Sequence, residues 1–174
     1  MKLYHYVKRP NNVLEKGLLS IAMNKNTDLS YYLKRSGAKT HDEVCQWMES
    51  TFEGRSRGIR AFTEPCQWTE RSLYCIKSFV DQADLFEINI EAMDKDGLIE
   101  AVYISPSVLD LPNVNEEQCI DEILQKIKGI KEIDCSPIDW NVCDDELGHR
   151  FAFVRYYLLV VQNGVIPPKY LKKI

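Results

Sequence analysis

At 174 residues, with 45% hydrophobic and 10% aromatic side chains, the chain has the size of one ordinary domain and enough apolar surface to close one core, so a single domain over 1–174 is expected. Charged residues at 28% and a formal net charge of -4 exclude wholesale disorder. They also disfavour non-specific nucleic-acid binding, because a net negative domain repels a phosphate backbone unless its cations gather on one face.

In chain order, Lys2 to Val7 alternates, with Leu3, His5 and Val7 on one face and Tyr4 and Tyr6 on the other, which predicts a strand. Arg9-Pro10-Asn11-Asn12 breaks it, and Val13 to Ser20 reads as a short helix ending at Gly17 or as a helix-to-turn unit. Asp28 to Lys34 is a second helix with Thr27 as its N-cap and Gly37 closing it. Thr40-His41-Asp42-Glu43 is a capping box, in which the threonine oxygen takes a free N–H while Glu43 reaches back to the Thr40 amide. Val44, Trp47, Met48 and Phe52 continue that helix as an apolar stripe until Gly54.

Ile59 to Phe62 is a short strand, and Leu73, Ile76, Phe79 and Val80 form a helical stripe. Asp84 to Ile90 and Leu98 to Ile104 read as strands that the turn sequence Asp94-Lys95-Asp96-Gly97 could join as a hairpin. A helix begins at Asn115 and carries Ile120, Ile123, Leu124, Ile127 and Ile130. Phe151 to Val161 is almost wholly apolar, interrupted by Arg155, as in a central strand covered on both faces. Helices early, strands late and no glycine-rich loop after a strand argue against a doubly wound nucleotide fold. The expected class is α+β, with an antiparallel or mixed sheet.

Six cysteines (Cys45, Cys66, Cys75, Cys119, Cys135 and Cys143) are even in number. Several fall in helical stripes, and the opening residues do not resemble a signal peptide, so a reducing, cytoplasmic setting is expected rather than a disulfide framework. An export route without such a peptide would not be legible. No Cys-x-x-Cys pair occurs beside the three histidines, so no metal site is expected. No apolar run approaches the roughly 20 residues that span a bilayer, which predicts a soluble chain with no membrane partner.

His5 is a polar ring on an apolar strand face and must find a core partner or face a cleft. Arg55, Arg57 and Arg60 stand in a loop with two glycines, suited to a diphosphate or carboxylate, or to pairing with the abundant acids. Arg155 and Glu100 are charges inside apolar runs, so they pair with each other or line a polar cleft. Asp144, Asp145 and Glu146 precede Gly148-His149-Arg150, a solvated acidic loop or a loop suited to metal or acid/base work. Cys45 or Cys143 with His41 or His149 would be the components of a cysteine hydrolase or deamidase. Tyr31, Tyr32, Trp47, Trp68, Tyr156 and Tyr157 are residue types that anchor a protein-interaction module.

The opening Leu3-Tyr4-His5-Tyr6 followed by Val13-Leu14-Glu15-Lys16-Gly17-Leu18-Leu19 resembles the first motif of ADP-ribosyltransferase-like domains. Arg60-Ala61-Phe62-Thr63 resembles their middle strand, and Val165-Ile166-Pro167-Pro168-Lys169-Tyr170-Leu171 is similar to the close of the tRNA 2′-phosphotransferase and DNA-modifying branches. The resemblance implies an NAD-using transferase of ADP-ribose to a protein or nucleic-acid acceptor, of the kind found among bacterial effectors and toxins. It implies His5 on the nicotinamide ribose, Tyr31 or Tyr32 stacked on the nicotinamide, and Arg57, Arg60 and Thr63 along the cofactor. Such transferases carry a glutamate in or before a late strand. Phe151 to Tyr157 offers none, so the resemblance leaves Glu146 or Glu100 as substitutes, or Arg155 as in the 2′-phosphotransferase branch, which uses arginines and a histidine without that glutamate, or a catalytically degenerate member.

Overall fold

The computed structural model describes residues 2–62, 81–104, 125–127, 129–130 and 157–174, without the side chains of Tyr31, Arg35 and Gln125. Strand β1 (Leu3–Lys8) runs antiparallel to β4 (Ala83–Ile88) in a register from Leu3↔Ile88 to Lys8↔Ala83, and β9 (Leu171–Lys173) adds to the other edge of β4. A second sheet has the order β3 (Gly58–Ala61), β7 (Tyr157–Val161), β5 (Ile99–Ile104), β6 (Gln125–Ile127), again antiparallel throughout. A two-stranded ribbon joins β2 (Leu18–Leu19) to β8 (Val165–Ile166). With helices α1 (Val13–Lys16), α2 (Ser30–Ser36), α3 (His41–Thr51) and α4 (Ile90–Lys95), the fold is α+β.

The strand alternation explains how the layers stack. Leu3, Phe86 and Ile88 of the first sheet share one buried cluster with Ile59, Val102, Leu159 and Val161 of the second, so the inner faces of both sheets bury a common core. Burying each such aliphatic or aromatic side chain contributes about 2 kcal/mol. The other face of the second sheet presents Tyr103, Leu158 and Val160 to Phe52, directly after α3. Helices α2 and α3 hold a separate small core of Leu29, Val44 and Met48. Strand β7 is buried at all five positions and hydrogen-bonded on both sides, as its apolar run requires.

Several expectations need correction. Ala83–Ile88 and Ile99–Ile104 are not a hairpin but belong to different sheets, and α4 separates them. Asn89 begins that helix by accepting the Ala92 amide at 3.1 Å, so the segment turns helical before the predicted turn. Residues 125–127, expected as helix, form an edge strand: Ile127 pairs with Val102 and packs on the main core, and sheet pairing overrides the helical spacing. The N-cap of α3 is confirmed, with Glu43 N–H donating to Thr40 Oγ1 at 3.2 Å, but the Glu43 carboxylate accepts from the Lys39 amide at 2.6 Å rather than from Thr40. Helix α2 starts after Leu29, and Asp28 rather than Thr27 meets its first turn, accepting from the Ser30 amide at 2.9 Å. The predicted stripes at 73–80 and 115–124 lie outside the described residues. Among the described residues no helix is long and apolar enough to cross a membrane.

Gly17, φ 84°, lies where the ribbon closes, and a Cβ there would sit 2.2 Å from the Ile166 carbonyl oxygen. Gly37, φ 69°, caps α2 with open space around it. Gly17→Ala should therefore destabilise by about 3 kcal/mol, combining backbone strain with a clash against main chain, and Gly37→Ala by only about 1 kcal/mol. Urea unfolding of both variants checks this, and equal losses would contradict the close approach at Gly17.

Candidate functional site

Strands β1 and β3 meet at one point, where Tyr4 N–H donates to the Phe62 carbonyl at 2.7 Å and Phe62 N–H to the Tyr4 carbonyl at 2.9 Å. Beyond that bridge the two strands hold no further backbone pairing among the described residues. His5 fills the start of the opening, its Nδ1 2.6 Å from the Arg60 carbonyl oxygen. A carbonyl only accepts, so Nδ1 carries the proton and the neutral ring keeps its lone pair on Nε2. Burial first, and then the nearby Arg60 charge, push the His5 pKa below its ordinary value against the opposing pull of that hydrogen bond. The imidazole is thus held neutral, as a fixed tautomer.

The opening continues as a cavity of about 620 Å³ bounded by β1, the start of β3, the 20–28 segment and the flank of α2 and α3. Arg60 lines it and donates from Nη2 to the Tyr32 hydroxyl at 3.3 Å, linking strand β3 to helix α2. Arg55 also lines it while only 3% exposed. Its guanidinium lies 5.0 Å from the Trp47 ring centroid and 5.5 Å from that of Phe52, and Nη1 donates to Thr51 Oγ1 at 2.8 Å. The turn that carries Arg55 is fixed by Glu49, whose carboxylate accepts the amides of Gly54 at 2.7 Å and Ser56 at 3.0 Å. The described lining thus carries Lys8, Arg55 and Arg60 against the carboxylate of Asp28, an electropositive wall suited to an anion.

The structure brings His5, Tyr32 and Arg60 to this one cavity. Arg57 stands apart from its lining, with Nη1 2.6 Å from Glu100 Oε1, so Glu100 finds its partner on the arginine turn. The Tyr31 side chain, Thr63, Glu146 and Arg155 lie outside the described residues. Sequence reasoning missed Lys8 and gave Arg55 no role of its own. The Trp47-Phe52-Arg55 spacing was the available signal for a stacked guanidinium.

The other readings find less in the geometry. Cys45 Sγ lies 3.8 Å from His41 Nδ1 one turn away, but burial, then Asp42 and Glu49, push the thiol pKa up, the opposite of what a nucleophilic thiolate requires. Tyr157 is fully buried and Trp47 packs against the small core of α2 and α3, as does the half-buried Tyr32, which also lines the cavity. Cys143, His149, Trp68 and Tyr156 lie outside the described residues. Among the described residues no group of three or more potential metal ligands forms. Comparison with protein-family models, curated proteins and solved structures finds no match to this chain.

Because the folded state lowers the His5 pKa, the unfolded chain binds more protons at mildly acidic pH. The contribution of His5 is then fully present above the ordinary imidazole value of 6.5 and is lost as pH falls from there through the lowered folded value. Thermal unfolding should accordingly weaken between pH 7 and pH 5, with a shallower dependence in His5→Gln. An unchanged slope in that variant would contradict the half-buried, neutral imidazole.

Proposed function

We propose that the cavity binds NAD and that the chain is an ADP-ribosyltransferase-like protein acting on a macromolecular acceptor. The observation that carries this reading is the convergence of His5, Tyr32 and Arg60 on one electropositive cavity of about 620 Å³, within the roughly 300–1,000 Å³ of small-molecule sites. The side chains fit a dinucleotide carrying ribose, aromatic base and diphosphate. His5 Nε2, left as an acceptor by the Nδ1 bond to Arg60, accepts a hydrogen bond from a ribose hydroxyl. The Tyr32 ring offers a stacking face, and Arg60 offers fixed positive charge close by.

Bound NAD supplies an activated glycosidic bond, whose cleavage releases neutral nicotinamide as an acceptor nucleophile bonds to the anomeric carbon. The chain's contribution is to orient the ribose through His5 and to keep the diphosphate in a positive field, so that attack begins from an aligned geometry. The attacking group's proton needs a base, the role proposed for Glu146; Arg155, which stays protonated, is proposed instead to stabilise developing negative charge.

Isothermal titration with NAD tests the reading. Saturable binding by the native protein, weakened at least tenfold in both His5→Ala and Arg60→Ala, is the expected result, with nicotinamide release on addition of an acceptor as the readout of transfer. A flat native trace would overturn it.

A further inference from the structure

We infer that Lys8 and Asn12, exposed residues of the cavity lining, form a diphosphate subsite, a role that the sequence resemblance gave to arginines. This rests on the NAD reading of the same cavity, and it follows from how donors and acceptors are distributed along the lining. At the His5 end the neutral imidazole presents a lone pair on Nε2, which repels a phosphoryl oxygen. Arg57 is committed to Glu100 at 2.6 Å and stands off the lining. Arg55 is 3% exposed and packed between rings, so it contributes field rather than direct contact.

Lys8 and Asn12 have the opposite character. Lys8 ends β1, is exposed, lines the cavity and forms no ion pair or side-chain hydrogen bond among the described residues. Its neighbour Arg9 is turned to the sheet edge, 3.7 Å from Asp84. Asn12 precedes α1 without a side-chain capping bond, and its carboxamide forms no hydrogen bond among the described residues. Thr27 lines the cavity as well. Phosphoryl oxygens only accept, and an ammonium, a carboxamide N–H and a hydroxyl are three donors for them. A ligand with its ribose hydroxyl on His5 would present its linked phosphoryl groups to this set, which defines the ligand class as a nucleoside diphosphate.

The test is titration of the native protein and of Lys8→Gln with NAD, with ADP and with nicotinamide riboside, which lacks the diphosphate. Lys8→Gln should weaken NAD and ADP about tenfold, flatten the salt dependence of their binding and leave nicotinamide riboside unchanged, while Lys8→Arg keeps the native affinities. Unchanged NAD and ADP affinities in Lys8→Gln would overturn the subsite while leaving the NAD reading intact. Equal losses for all three ligands would also overturn it, as a loop-shape effect. If the native protein bound ADP but not NAD, the transferase reading would fail and the ADP arm would still decide the role of Lys8. If it bound none of the three, both would fall.

Discussion

The structure depends on one seam, the two backbone hydrogen bonds between Tyr4 and Phe62. They tie the edge of the three-stranded sheet to the edge of the four-stranded sheet at one residue pair, with no further pairing of β1 with β3 among the described residues. A fully zipped β1–β3 pair would leave no cavity, and an unjoined pair would leave His5 without the Arg60 carbonyl that fixes its tautomer. The inner faces of both sheets meanwhile share one buried cluster, so the seam is held open by core packing on one side and by the 20–28 segment on the other.

That segment is itself anchored at its N-terminal end. Ser20 N–H donates to Gly164 and Ala22 N–H to Ser56, at 2.8 Å and 2.9 Å, and His41 Nε2 lies 2.7 Å from the Ile21 carbonyl. The cavity wall thus draws on the first strand, the arginine turn, the α2–α3 pair and the chain's last residues, which are distant in sequence. Arg55 shows how a buried cation is accommodated there: two aromatic faces and the Thr51 hydroxyl replace part of its hydration, and its charge still adds to the positive potential of the lining.

The parts of the fold legible in sequence were those set by local chemistry. Thr40 and Glu43 announced α3 because a capping side chain acts within one turn, and the alternation of Leu3, His5 and Val7 announced β1 because strand faces follow the pleat. The apolar run from Phe151 to Val161 announced a central strand, and its described part, Tyr157–Val161, is one. Pairing partners were not legible, since Ala83–Ile88 carries the same pattern whether it meets Ile99–Ile104 or, as here, β1 and β9. The helical spacing that included Ile127 failed because three residues at a sheet edge take their conformation from Val102 and its neighbours rather than from their own period.

The candidate site was legible where a residue broke its local pattern. His5 is a polar ring in an apolar face, and it lies at the seam. Lys8 broke no pattern, because a lysine at a strand end is ordinary, and only the cavity geometry gives it meaning. The most direct test of the account is amide chemical-shift mapping of the native protein during NAD titration. Shifts concentrated at residues 4–8, 58–62 and Tyr32, with the β4–β9 edge at Glu87 and Lys172 unmoved, are predicted. No shifts, or shifts confined to that far edge, would contradict a nucleotide cavity at the β1–β3 seam.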